Sequence, residues 1–304
     1  MLSSRREFLK KIAISAGVLP FIHTPLRAVE RLSALPELSV HIFSKHLQFL
    51  DCKTAAAKAV ELGFVGLDLT VRPGGHVLPA NVKKELPKAI KDIKAAGARC
   101  DMIATSVEDV DNSLDRDVLE TAAANGVKYY RCNWFKYPEG ITMPEALLKY
   151  QNEIHDLGLL NKKLGIVGSY QNHAGRNVGA SFWEVDAILK TVDPAFFGTQ
   201  YDIRHAYVEG ANSWENGFEL LRQRIKIVVL KDYRWEKIDG KWQALNVPIG
   251  EGMVDFDKFF KLLKRFGLHP PVSLHCEYDM GGAEKGNRNI AIPAQQVFDA
   301  IQKD

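Results

Sequence analysis

From about residue 38 the chain alternates short apolar runs with longer stretches in which apolar residues recur at helical spacing. The apolar runs predict strands over 38–43, 64–70, 99–104, 127–133, 166–173, 198–203, 225–231 and 272–278. Between them the 3.6-residue period predicts helices, among them 55–62, 86–96, 144–164 and 256–266. Gly63, Gly97, Gly126, Gly165 and Gly267 each follow a helical stretch, where a left-handed residue commonly ends a helix. Strand and helix in alternation predict a parallel sheet, and eight such units predict a closed barrel. An open doubly wound sheet is the competing fold, but no GxGxxG loop follows the first strand. The fold class is therefore α/β, as a single (β/α)8 barrel. The stretch 233–255 is long for a connection in such a fold.

The first residues have a different character. Ser4-Arg5-Arg6-Glu7-Phe8-Leu9-Lys10 has the pattern of a twin-arginine export signal, and a modest apolar stretch follows over 12–22. That stretch is too short and too interrupted to span a bilayer. We expect a signal peptide over 1–28, a barrel domain over 29–304, and a periplasmic or otherwise exported product with no stable membrane insertion after signal removal. The formal charge is +3, but the first 28 residues hold five basic side chains and one acidic. Taking these from totals of 40 and 37 leaves 35 basic and 36 acidic residues in the body. A body so close to neutral has no general attraction to nucleic acid. Cys52, Cys100, Cys132 and Cys276 form no CxxC pair and no zinc spacing. They read as small buried hydrophobes.

In a (β/α)8 barrel the site forms at the C-terminal strand ends, and side chains alternate inward and outward along each strand. Polar residues of one parity gather at those ends. Asp68 and Thr70 come from the second strand, Arg131 and Asn133 from the fourth, and Ser169, Gln171 and His173 from the fifth. Gln200 and Asp202 come from the sixth, Lys231 from the seventh, and Ser273, His275 and Glu277 from the eighth. His41 and Lys45 mark the end of the first strand. A lone polar residue on a strand is usually structural, but burying this many in a purely stabilising core would be costly. Arg72 and His76 lie in a glycine-containing loop after the second strand, where they either bind a sugar or serve the turn. Trp134, Tyr207, Trp235 and Trp242 lie in or near loops and either stack on a sugar face or pack.

Taken in order, Tyr170-Gln171-Asn172-His173, Asp202-Ile203-Arg204-His205, Leu230-Lys231-Asp232, Gly250-Glu251-Gly252 and Cys276-Glu277-Tyr278 resemble the sugar phosphate isomerase/epimerase superfamily. These are xylose isomerase-like TIM barrels, and ketose 3-epimerases are among them. The likeness runs from about residue 38 to the C-terminus. It implies a divalent metal (Mn, Mg, Co or Zn) held by Glu, Asp, His and Glu from strands five to eight, and no nucleotide cofactor. Asp202 matches the Asp, and Glu277 the last Glu, with His275 on the same parity. Gln171 stands where the fifth-strand Glu belongs and Val229 where the seventh-strand His belongs. Valine cannot ligate, and an uncharged amide oxygen ligates weakly. The metal set is then Gln171, Asp202 and Glu277, and whether a metal is held stays open on the sequence. His205 matches the His that meets substrate.

The resemblance implies an exported carbohydrate isomerase or epimerase, or a related keto-sugar lyase. Such enzymes move a proton next to a carbonyl, which takes a base and a cation near the developing oxyanion. The expected catalytic residues are Glu277, Lys231, His205 and His275. Asp68, Arg72, His76, Arg131, His173 and Trp235 are expected to contact the small-molecule substrate. Oligomerisation stays open. The competing readings are a non-catalytic sugar-binding barrel and, remotely, an endonuclease IV-like repair enzyme. That enzyme's dense His, Asp and Glu cluster is not matched by Gln171 and Val229.

Overall fold

The computed structural model describes residues 38–278, so the expected signal over 1–28 lies outside the described residues. Eight parallel strands close into a barrel in the order β1 (Val40–Phe43), β10 (Val272–Leu274), β7 (Ile225–Leu230), β6 (Phe197–Asp202), β5 (Val167–Gln171), β4 (Tyr129–Arg131), β3 (Arg99–Thr105) and β2 (Gly66–Val71). Around them run α1 (Cys52–Glu61), α2 (Val82–Ala95), α3 (Ser113–Ala124), α4 (Met143–Leu164), α5 (Phe182–Leu189), α6 (Ile203–Gly210), α7 (Trp214–Leu221) and α8 (Phe256–Arg265). No described helix is long and apolar enough to cross a membrane.

The helices start and stop where the side chains direct. Thr142 and Glu145 form a capping box at the start of α4, and Ser181 and Glu184 do so for α5. Asp202, the last residue of β6, also caps α6 through His205 N–H at 3.2 Å, so strand and helix meet without a loop. All five glycines expected to end helices adopt positive φ, from 62° to 91°.

The strand faces divide the interior in two. Tyr130, Tyr170, Tyr201 and Phe197 point outward and are fully buried under the helices. Tyr201 stacks on Phe182 and Phe259 and meets Phe218 edge-on. Each such ring removes roughly 150–250 Å² from water, so this aromatic layer dominates the core. The opposite parity is largely polar, with Asp68, Arg131, Ser169, Gln171, Gln200, Asp202 and Ser273 all buried inside the barrel. The register shifts on β2 between Gly66 and Asp68, and at Gly66 a Cβ would lie 2.0 Å from the Arg99 carbonyl oxygen. Only glycine allows that approach.

The long stretch after β7 is not a loop. Asp232–Ile238 (β8) pairs antiparallel with Lys241–Val247 (β9), and Ile238 faces Lys241 across the turn. The two turn residues, Asp239 and Gly240, have φ of 49° and 78°, which gives the tight turn that suits twisted hairpin strands. Asp232 anchors the return of this hairpin to the barrel. Its buried carboxylate accepts N–H bonds from Tyr233 and Val254 on one oxygen, and from Gly250 and Gly252 on the other. A Cβ at Gly252 would lie 2.1 Å from Asp232 Oδ1, which explains the second glycine of Gly250-Glu251-Gly252.

Candidate active site

Three ionised side chains meet at the C-terminal mouth of the barrel. Lys231, the first residue after β7, places Nζ 3.1 Å from Asp202 Oδ2 and 3.1 Å from Glu277 Oε2. Its side chain is only 3% exposed, and that of Asp202 is fully buried. Gln171 Nε2 donates to the same Asp202 oxygen at 2.7 Å. The Glu277 side chain is 25% exposed, and its other oxygen lies 3.6 Å from Lys45 Nζ and 3.9 Å from His275 Nδ1.

Glu277 stands here although its strand stops early. The expected strand over 272–278 ends at Leu274, and only His275 N–H, donating to the Leu230 carbonyl, continues toward β7. The segment beyond is held from both sides. His46 Nε2 accepts the Cys276 N–H at 2.9 Å, and Asn246 of β9 donates to the Glu277 carbonyl at 3.1 Å. Burial alone would raise the Glu277 carboxyl. The adjacent His275 and the Lys231 charge outweigh it and hold the group well below the usual carboxylate range.

The histidines are kept neutral. Burial lowers His275, which stacks on Phe43 at 4.2 Å between ring centroids. Burial, then the neighbouring His275, holds His46 down to about 3. Burial and the Lys231 charge push His205 well below its ordinary value and also lower His173. His205 Nδ1 accepts hydrogen bonds from Ala174 N–H and from Arg204, both at 3.0 Å. The proton of the neutral ring therefore belongs on Nε2, the atom nearer the carboxylate, 3.9 Å from Asp202 Oδ2. Nε2 is buried and has no partner among the described residues. It is a free donor beside the ion pairs.

One side of this centre is aromatic. His173 lies 3.9 Å from the His205 ring and 4.7 Å from the Trp134 ring, and the Arg131 guanidinium sits 4.3 Å from the Trp134 centroid. Burial, then the neighbouring Arg72, lowers Arg131 to about 10. Asp68 accepts the Ser273 hydroxyl at 2.7 Å, and Arg72 packs over Phe43.

The structure thus brings together Gln171, Asp202, His205, Lys231, His275 and Glu277, with Asp68, Arg72, Arg131 and His173 around them. His76 and Trp235 stand apart. The His76 ring and backbone N–H both engage Thr70 Oγ1, tying down the loop after β2. Trp235 is 42% exposed on the hairpin and meets Tyr233 edge-on. His41, expected at the mouth, instead pairs with Asp101 at the opposite end of the barrel. His46, Arg204 and Asn246 were not among the expected site residues. Arg204 carries no periodic signal, yet it ties His205 to the Ala244 carbonyl of the hairpin.

The expected metal set does not have the donors of a metal site. No group of three or more His, Cys, Asp or Glu suited to a metal ion occurs among the described residues. The lone pairs of Asp202 Oδ2 already face an ammonium and an amide N–H. Val229 stands beside Asp202 in the β6–β7 register and contributes no donor.

A family model for the xylose isomerase-like TIM barrel matches residues 51–296. The chain belongs to this family. Solved structures share its fold at low identity. A sugar phosphate isomerase/epimerase from Parabacteroides distasonis is 16% identical with a TM-score of 0.65, covering 90% of this chain and 99% of its own. A 3-keto-D-glucoside 4-epimerase from E. coli is 13% identical with a TM-score of 0.63, covering 86% of this chain and 99% of its own. A family protein from Mycobacterium smegmatis, described in complex with magnesium, is 14% identical with a TM-score of 0.60, covering 82% and 89%. No curated protein matches the chain.

Proposed function

We propose that this protein is a carbohydrate isomerase or epimerase that moves a proton at a carbon next to a carbonyl. Elimination by a related lyase would begin with the same step. The observation that carries this reading is the contact between the Glu277 carboxylate and the Lys231 ammonium at the barrel mouth, 3.1 Å apart. It pairs a base with a cation at one point, as proton abstraction beside a carbonyl requires. The epimerase and isomerase neighbours support the same class.

In this reading Glu277 takes the carbon-bound proton while Lys231 donates to the oxygen on which charge develops. A carboxylate held as low as Glu277 is a weak base in the free protein. A substrate oxygen that takes over a Lys231 hydrogen bond removes one of its partners, so its basicity rises as the substrate seats. In an isomerase Glu277 delivers the proton to the neighbouring carbon; in an epimerase Glu277 keeps it while a second acid protonates the opposite face of the same carbon. His205 presents its Nε2–H to a substrate oxygen and acts as a donor rather than a base. Trp134 and His173 offer aromatic surface to a sugar ring, while Asp68, Arg72 and Arg131 serve its hydroxyls. We further propose that residues 1–28 direct the protein to the periplasm, so its substrates are free sugars or glycosides.

The experiment is turnover of a panel of aldoses, ketoses and keto-glycosides by wild type and Glu277→Gln, with exchange of the carbon-bound proton followed in deuterated solvent. The variant should lose about 10²-fold or more in both. Near-normal turnover in a folded Glu277→Gln protein removes Glu277 as the base. Binding without turnover by wild type makes the protein a sugar-binding barrel instead.

A further inference from the structure

We infer that Lys231 is the built-in cation of this site and takes the place of a divalent metal. The inference rests on reading the barrel mouth as a proton-transfer site and names the source of its positive charge. Three observations carry it. First, Lys231 Nζ lies between the two carboxylates, 3.1 Å from each, with its side chain 3% exposed. A cation coordinating Asp202 and Glu277 together would have to stand where the ammonium stands.

Second, the remaining ligand positions are filled or lacking. Asp202 Oδ1 accepts the His205 N–H, and Oδ2 faces Gln171 Nε2 and Lys231. The Gln171 amide nitrogen, not its oxygen, points at the carboxylate. On β7 the position level with Asp202 on one side and Ser273 on the other is Val229, fully buried, where hydrocarbon replaces a donor.

Third, the carboxylates are already matched by cations, since Arg72, Arg131 and Arg204 also feel the Glu277 charge. Asp202 and Glu277 face Lys231 and, at the rim, Lys45. A divalent ion would add two positive charges within contact distance of a buried ammonium, and the one further carboxylate around the site, Asp68, already faces Arg72 and Arg131. The ammonium also suits the chemistry. Its N–H groups donate hydrogen bonds that a developing oxyanion can accept.

The test is a metal titration of the full chain, stripped with chelator, comparing wild type with Lys231→Ala. Mn²⁺ binding is followed by calorimetry and by the thermal midpoint, with no substrate present. Wild type should bind no equivalent of Mn²⁺ and show no shift in Tm. Lys231→Ala leaves two carboxylates facing one gap, so Mn²⁺ at ten times its dissociation constant should raise that variant's Tm by about 2 °C. Where Lys231→Ala does not fold, Lys231→Ser, which keeps a hydroxyl beside Asp202, takes its place. One equivalent of Mn²⁺ bound by wild type overturns the inference, as does a variant that does not respond to Mn²⁺. Neither measurement needs turnover, so a failure to find a sugar substrate would sink the carbohydrate reading and leave this result standing.

Discussion

His46 makes the acid stability of this barrel a direct test of how the segment that carries Glu277 is held. Its Nε2 accepts the Cys276 N–H, which it can do only while the ring is neutral. Burial, then the neighbouring His275, lowers the ring from 6.5 to about 3. The unfolded chain therefore takes up this proton below pH 6.5, while the folded chain refuses it until about pH 3. The corresponding stability is whole above pH 6.5 and falls steadily as the pH drops through that window. One proton over 1.5 pH units, from 6.5 to 5, amounts to about 2 kcal/mol, or a fall in Tm of about 3 °C. The other histidines lowered by burial add to the slope in the same direction. Glu277 has the same sign but acts in a lower window. Its depressed carboxyl contributes stability that is lost only as the pH falls below about 4.5, so it adds nothing between pH 7 and 5. The measurement is Tm against pH for wild type and His46→Gln. The glutamine oxygen can still accept the Cys276 N–H, but the side chain does not titrate. The difference between the two proteins should change by about 1.4 kcal/mol per pH unit below 6.5. Parallel curves would refute a neutral His46 and with it the anchoring of the segment that carries Glu277.

Two further predictions concern the hairpin and the N-terminus. Asp232→Asn leaves one oxygen where four amides now find two. Two hydrogen bonds to a charged acceptor are lost, partly offset by relief of the burial that raises this carboxyl, for a net cost of about 2–4 kcal/mol. Hydrogen exchange should quicken at Gly250, Gly252 and Val254 while the barrel strands keep their protection, and unchanged rates at those amides would rule out the anchor. Replacing Arg5 and Arg6 together with Lys should leave the protein in the cytoplasm, as read by cell fractionation, and normal export of that variant would remove the proposed signal.

The barrel was legible because short segments with buried apolar residues on the outward parity recur between glycine-capped helices. Strand ends were less so. His275 to Tyr278 alternates polar and apolar residues as a strand would, yet past His275 it leaves the β7 ladder and is held by His46 and Asn246 instead. The hairpin was readable in principle from Asp239-Gly240 between two polar-apolar runs. The inward residues Asp202, Lys231 and Glu277 followed from parity. Their meeting at 3.1 Å did not, because contact depends on how strands 29 and 46 residues apart are staggered around the barrel. His46 and Arg204 escaped for the same reason, since their partners lie 230 and 40 residues away.

Lys231 and Asp232 are joined by one peptide bond, yet they face different tasks. Lys231 enters the cavity, and Asp232 clamps both ends of the hairpin to the barrel. The tip at Asp239-Gly240 lies outside that clamp, on strands whose outer residues are exposed. Residues can therefore be inserted, deleted or exchanged at the tip while the clamp keeps the ammonium in register. Over evolutionary time, that arrangement would free the hairpin tip to vary while the ion-paired side chains beneath it keep their places.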